Sequence, residues 1–337
     1  MAGSGPGPAG GQEAPPTASA SVPLETVELA TADLHAVVVP ELGARVISLT
    51  HRGVPLLWHN PDLIDDEFAA RVPRADPRTL DGFATWQNWG GDKSWVAPQG
   101  WADDDEWHGP PDPTFDGGAF EVTSRSDSAI TMRSNLDPVS GVRMTRSVTV
   151  TAHGMHVTTV LRNESPSPRH WAAWEVAQLP VHEADLESPH AGIFVDVRPG
   201  SEPVHLMRLR GNVSTSTTSG VTRVPFQRAV GKLGFPGCTG AMELRHADGA
   251  GVRLTFRTHP YERYPDDSPA QLWMQTPLGH TLEELGGFAS TAALVELEAM
   301  SPLQRLEPGA SVALSCDWTP IPRHAPETMT PAPEGGD

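Results

Sequence analysis

The residues best suited to chemistry fall in three stretches of the 337-residue chain. The run Asn88-Trp89-Gly90-Gly91-Asp92-Lys93-Ser94-Trp95-Val96-Ala97-Pro98-Gln99 sets an acid beside a base between two tryptophans. Its paired glycines would let backbone N–H groups approach a ligand closely. In Trp171-Ala172-Ala173-Trp174-Glu175-Val176-Ala177-Gln178 an extended backbone puts Trp174, Val176 and Gln178 on one face and Glu175 on the other, and one of those faces must be buried. In Val295-Glu296-Leu297-Glu298-Ala299-Met300 the same alternation gathers two carboxylates on one face of a strand whose other face is apolar. On a surface strand such a face is simply solvated.

Seven of the ten tryptophans lie between Trp86 and Trp174, in a segment with almost no strand alternation. A long irregular segment in a compact domain is usually functional. An indole offers a flat apolar face for the C–H side of a pyranose and an N–H donor at its edge, so tryptophans amid Asp, Lys and Gln suit a sugar cleft. The alternative is that the rings pin a long loop to the core. Fourteen histidines are present, but none forms an H-x-x-x-H or H-x-H pair with a third partner at ligand spacing, so no metal site is expected. The Asp103-Asp104-Asp105-Glu106 run lacks the glycine and spacing of a calcium loop. Nucleophile-elbow and phosphate-loop motifs are absent as well.

The elements that must position these residues are strands. Val142, Met144, Val148 and Val150 alternate ahead of Ala-His-Gly, and Met155, Val157, Thr159 and Leu161 alternate after it, which predicts a hairpin turning at His153-Gly154. Short runs of the same kind recur at 35–39, 45–49, 129–134, 192–197, 251–256, 272–275, 292–299 and 311–318. With 32 glycines and 34 prolines, and no helical period sustained beyond two turns, helices are expected only as short connections. The pattern predicts an all-β fold, one domain of two large packed antiparallel sheets over residues 25–322. Residues 1–24 and 323–337 are rich in Pro, Gly, Ala and acids and are expected to be disordered tails.

Composition narrows the partners. A net charge of -18 repels phosphate backbones and anionic lipid surfaces, so neither nucleic acid nor membrane is expected. Residues 1–21 have no cationic flank or apolar run, and no apolar stretch is long enough to span a bilayer. Cys238 and Cys316 have no motif around them and read as buried small hydrophobes in a reducing, cytoplasmic setting.

Several pieces together resemble the galactose mutarotase-like, or aldose 1-epimerase-like, superfamily. Pro40-Glu41-Leu42-Gly43-Ala44-Arg45-Val46-Ile47-Ser48-Leu49, with the segment 53–60, resembles the first strands of that fold. Glu298-Ala299-Met300-Ser301-Pro302 and Leu306-Glu307-Pro308-Gly309 resemble the stretch that holds the family's catalytic glutamate and closing strand. The likeness runs from about residue 25 to 320 and is nearest to a bacterial branch described as a domain of unknown function. That branch shares a G-G-D-K-x-W-x-A-P-Q-like segment, here Gly90 to Gln99, and a Y-P-D segment, here Tyr264-Pro265-Asp266.

The resemblance implies a β-sandwich whose glutamate removes the anomeric hydroxyl proton while a histidine protonates the ring oxygen. Glu298 matches the glutamate. At the family's H-x-Y-F-N-like strand the chain has Trp174-Glu175, with no histidine, and His170 lies four residues too early. The acid is therefore expected from Glu175, if burial raises its pKa, or from Asp92, Lys93 or a histidine on another loop. The expected set is Glu298 and Glu175 for catalysis, with Asp92, Lys93, Trp95, Trp174, Gln99 and Arg71 for substrate, and no cofactor. The substrate expected is a carbohydrate or glycosylated metabolite. A carbohydrate isomerase, a non-catalytic sugar sensor, and an isomerase or cyclase for a specialised metabolite all remain open.

Overall fold

Strict alternation of apolar and polar residues makes the longest strands of the chain, because each such strand can bury one face and solvate the other. Val142–Thr151 and Gly154–Asn163 pair as the expected hairpin, with inward positions buried along both. The computed structural model describes residues 22–76, 83, 85–100, 107–108 and 112–323. Most of both expected tails, Trp101 and the acidic run 103–106 lie outside the described residues.

The site is built on six strands: β1 (Asp92–Ala97), β2 (Val142–Thr151), β3 (Arg169–Pro180), β4 (Val230–Gly234), β5 (Ala270–Gln275) and β6 (Leu294–Met300). Among the described residues the chain folds into two large antiparallel sheets, one of ten strands and one of eleven. β2 belongs to the first. The other five are consecutive in the second, in the order β4, β5, β6, β3, β1, followed by Arg45–His51 and the two strands before it. A single apolar cluster fills the space between the sheets, drawing Val295, Leu297 and Ala299 from β6 and Val142, Met144 and Val148 from β2. Helices are short, Pro113–Asp116 and Glu183–Glu187 with brief 3-10 turns, as the sequence predicts. Among the described residues no helix is long and apolar enough to cross a membrane. Cys238 and Cys316 are free and buried.

One sequence expectation needs correction. The segment that looked irregular contains β1, a central strand buried at all six positions. Its alternation is hidden because polar residues stand on both faces, Asp92 and Ser94 on one and Lys93 on the other. Gly90 and Gly91 also serve the fold. Both have positive φ, and a Cβ on Gly91 would lie 2.4 Å from the Val46 carbonyl oxygen, one on Gly90 2.5 Å from the His59 Cα. They allow backbone to pass close to backbone, which is a structural demand distinct from ligand approach.

Candidate functional site

The register of the five adjacent strands assembles a polar floor on the face turned away from the ten-stranded sheet. Lys93 stands opposite Val176, Val176 opposite Glu298, and Glu298 opposite Gln271. In the next row Gln178, Glu296, Trp273 and Lys232 stand side by side, and Trp95 faces Trp174. Above this floor is a cleft of about 560 Å³, counting its open mouth. Its walls are Trp86, Trp95, Trp174, Trp273 and Phe288, and Gln99 reaches it from the end of β1. An aromatic lining with a few convergent polar groups is that of a small-molecule site.

Glu298 is fully buried in this floor. Its Oε2 accepts from Trp174 Nε1 at 2.9 Å and lies 2.9 Å from Lys232 Nζ, whereas Oε1 is buried with no hydrogen-bond partner among the described residues. Burial pushes its pKa up to about 7; the Lys232 ammonium opposes the rise and Glu296 adds to it. Glu296 accepts from Gln178 Nε2 at 2.6 Å and from Lys93 Nζ at 3.4 Å. Burial also lowers the pKa of Lys93. Each lysine lies over an indole, Lys93 at 4.9 Å from the Trp95 ring and Lys232 at 4.5 Å from that of Trp174, so both cations have a π face as well as a carboxylate.

The tryptophans are themselves held. Asp116, at the end of the short helix, accepts from Trp86 Nε1 at 2.8 Å and from Trp95 Nε1 at 3.2 Å. The fully buried Arg45 pairs with the same carboxylate at 2.7 Å and donates to the Gly90 carbonyl. Trp95 and Trp174 meet edge to face with centroids 5.2 Å apart. With their N–H groups engaged in this way, the indoles bring mainly apolar ring surface to the cleft, while Gln178 Oε1 and Asn88 Oδ1 are further buried acceptors without partners among the described residues. The site can therefore accept protons from hydroxyl groups at several points, and one of the acceptors is basic.

Of the expected residues, Glu298, Trp95, Trp174 and Gln99 line this cleft. Lys93 does not line it but lies fully buried, paired to Glu296, which does. Asp92 and Glu175 are a correction: they project from the opposite face, into the core. There Arg146 of β2 pairs with both, at 2.8 Å to Glu175, and Ser94 donates to Glu175 at 2.5 Å. Period-two geometry forces this outcome, because Glu175 cannot share a face with Trp174. Burial, and then Glu175, push the Asp92 pKa well up. Arg71 is exposed and is not among the residues lining the cleft.

The burial of Glu296 and Glu298 overturns the solvated reading of their strand, since β6 is flanked on both sides and roofed by aromatics. Sequence reasoning missed Lys232, Trp273 and Gln275. The one available signal was Lys232 itself, a lone cation in Val230-Gly-Lys-Leu-Gly. Arg146 had a similar signal, as a charge in the inward row of Val142, Met144, Val148 and Val150. Away from the cleft, His182, Asp185 and His246 place ligand-type atoms within 4.8 Å of one another, a grouping that adds the distant His246 to two residues of one turn. Asp185 is already engaged there, by His246 Nδ1 and by the backbone N–H groups of His182 and Ala247.

The two-sheet sandwich is a fold that the chain shares with solved structures, some of them named as galactose mutarotase-like. A galactose mutarotase-like protein from Lactobacillus casei superposes with a TM-score of 0.54 at 13% identity, covering 88% of this chain and 100% of that one. A galactose mutarotase related enzyme from Lactobacillus acidophilus gives 0.50 at 12%, over 89% and 98%. The Slr1438 protein from Synechocystis gives 0.60 at 12%, over 89% and 97%. At these identities the likeness concerns the fold. The chain belongs to the family described as a domain of unknown function, DUF4380, which it matches over residues 24–320. No curated protein matches it in sequence.

Proposed function

We propose that the cleft binds a carbohydrate or glycosylated metabolite and interconverts its anomers, with Glu298 as the base. The observation that carries this reading is the asymmetry of the Glu298 carboxylate. Two donors hold Oε2, while Oε1 is buried with no partner among the described residues, and Glu298 lines a cleft walled by tryptophans. A pKa of about 7 suits a group that must hold and release a proton near neutrality.

In the step proposed, Oε1 takes the anomeric hydroxyl proton and the freed O–H pair becomes the carbonyl π bond. The bond from the anomeric carbon to the ring oxygen breaks, and its electrons take a proton from Lys232 Nζ. Rotation about the adjacent carbon–carbon bond and the reverse steps close the ring on either face, restoring both side chains. Lys232 thus stands in for the histidine that the chain lacks. Its Nζ lies 2.9 Å from Oε2 of the same carboxylate whose Oε1 is the proposed base, so acid and base sit side by side at the cleft.

Exchange NMR on a panel of free sugars tests the reading. Glu298→Gln keeps the shape and hydrogen bonding of the side chain but removes the base, so exchange should slow by about 10²-fold or more while binding persists. An unchanged exchange rate refutes the base. The missing histidine favours a second reading, a sugar sensor, for which tryptophan fluorescence would report binding while NMR shows no exchange in the native protein. If no sugar binds, a non-sugar specialised metabolite becomes the better substrate class.

A further inference from the structure

Where β3 ends, the chain turns into the short helix Glu183–Glu187, and there His182 and Asp185 meet His246. His246 opens the turn of a hairpin in the ten-stranded sheet, between the strands Cys238–Arg245 and Gly251–Phe256. The three side chains therefore join one sheet to the other, and none of them lines the cleft. No sequence spacing marks the grouping, because only the packing of the two sheets brings His246 to the other two. Two imidazoles and a carboxylate suit zinc and the neighbouring first-row divalent ions, whereas magnesium and calcium prefer oxygen alone.

The distances fit such an ion. Metal bonds of about 2.0–2.1 Å at angles of about 90–110° put an imidazole nitrogen and a carboxylate oxygen about 2.9–3.4 Å apart, and two imidazole centroids about 4.5–5.2 Å apart. His246 Nδ1 lies 2.8 Å from Asp185 Oδ2, close to the lower limit, and the centroids of the His182 and His246 rings are 4.9 Å apart. The third corner is wider, up to 4.8 Å, but His182 is exposed and free to turn its nitrogen inward.

The buried carboxylate has the capacity to bind. Its Oδ1 accepts from the Ala247 N–H at 2.7 Å, and its Oδ2 from the His182 N–H at 2.9 Å. Each oxygen has two lone pairs, so the pair of Oδ2 that faces His246 Nδ1 is available to a cation once the imidazole carries its proton on Nε2. His246 then stays neutral, and Nδ1 and Oδ2 turn lone pairs to a common point. The two backbone N–H groups hold the carboxylate in place, as ligating carboxylates are ordinarily held. A net charge of -18 adds a field that attracts cations.

From this arrangement we infer that His182, Asp185 and His246 bind a zinc ion that clips the end of β3 to the opposite sheet. Water completes the coordination on the exposed side of His182. The site is independent of the carbohydrate reading, since it lies apart from the cleft residues.

The experiment uses the full untagged chain, stripped of metal with a chelator and dialysed against micromolar zinc chloride. Elemental analysis should find about one zinc per chain, and zinc should raise the melting temperature by several degrees, because it binds the folded state. His182→Ala removes a ligand and keeps the backbone N–H that Asp185 accepts, so without metal it should melt within a degree or two of the native chain. It should bind zinc at least about tenfold more weakly and gain little stability from it. His246→Ala should lose zinc in the same way; if it fails to fold, His182→Ala alone decides. A native chain that retains no zinc, or a His182→Ala variant that binds it as tightly and is stabilised as much, overturns the site.

Discussion

Replacing Glu298 by glutamine should flatten the loss of stability toward high pH while impairing the proposed reaction. Burial raises the pKa of this carboxyl from 4.5 to about 7, so the folded state binds its proton more tightly than the unfolded chain does. The sign follows from linkage. The group's contribution is at its most favourable below about pH 4.5, where both states are protonated, and is lost as pH rises toward 7. A shift of this size corresponds to about 3 kcal/mol at most. Glutamine resembles the protonated form, so the stability of Glu298→Gln relative to the native protein, on top of a fixed offset for the lost Lys232 pair, should rise by up to about 3 kcal/mol between pH 4.5 and pH 8. Asp92 contributes a slope of the same sign, but it is present in both proteins and cancels in the difference. Urea unfolding at four or five pH values measures this directly. A difference that stays flat with pH would refute the claim that the carboxylate is desolvated, and with it the physical basis for its role as a base.

Two further perturbations test the frame around the cleft. Arg146→Met leaves Asp92 and Glu175 buried without their cation, which should cost about 3–5 kcal/mol in urea unfolding. Adding Asp92→Asn and Glu175→Gln should recover most of that loss, and no recovery would show that the arginine acts through packing alone. Gly91→Ala should lower the melting temperature by several degrees, because the new Cβ meets the Val46 carbonyl at 2.4 Å on a backbone with φ 72°. A normally stable variant with impaired sugar binding would instead return the glycine pair to a ligand role.

What the sequence revealed depended on whether one face of a strand was wet. The hairpin of Val142–Thr151 and Gly154–Asn163 was legible to within a residue or two, since solvent on one face enforces clean alternation. β1 was not, because a strand with polar groups on both faces and no solvent on either has no alternation to read. For the same reason Asp92 and Lys93, adjacent in the chain, looked like one feature and belong to two, one in the core and one under the cleft. The separation of Trp174 from Glu175 was legible from period two alone. Which of those faces was the cleft required knowing that β3 lies between β6 and β1, a long-range pairing that no local pattern encodes.

That pairing also explains why a charged cluster occupies the core directly behind the cleft. Ser94 and Glu175 alternate along β1 and β3 with Trp95 and Trp174, so any slip of one strand against the other would turn the cleft residues inward. Apolar residues on the core face would tolerate neighbouring registers. Arg146 does not: it bonds Asp92, Glu175, Ser94 and the Ala44 carbonyl together, and only one register brings all four within reach. Three buried charges contribute less stability than well-packed hydrocarbon would, and buried ionic groups are best attested where they specify register. On this argument the triad of Asp92, Arg146 and Glu175 acts on the site without touching a ligand. It fixes the strands on which Glu298's neighbours, Trp174 and Gln178, are carried, to the tolerance that proton transfer over about 3 Å requires.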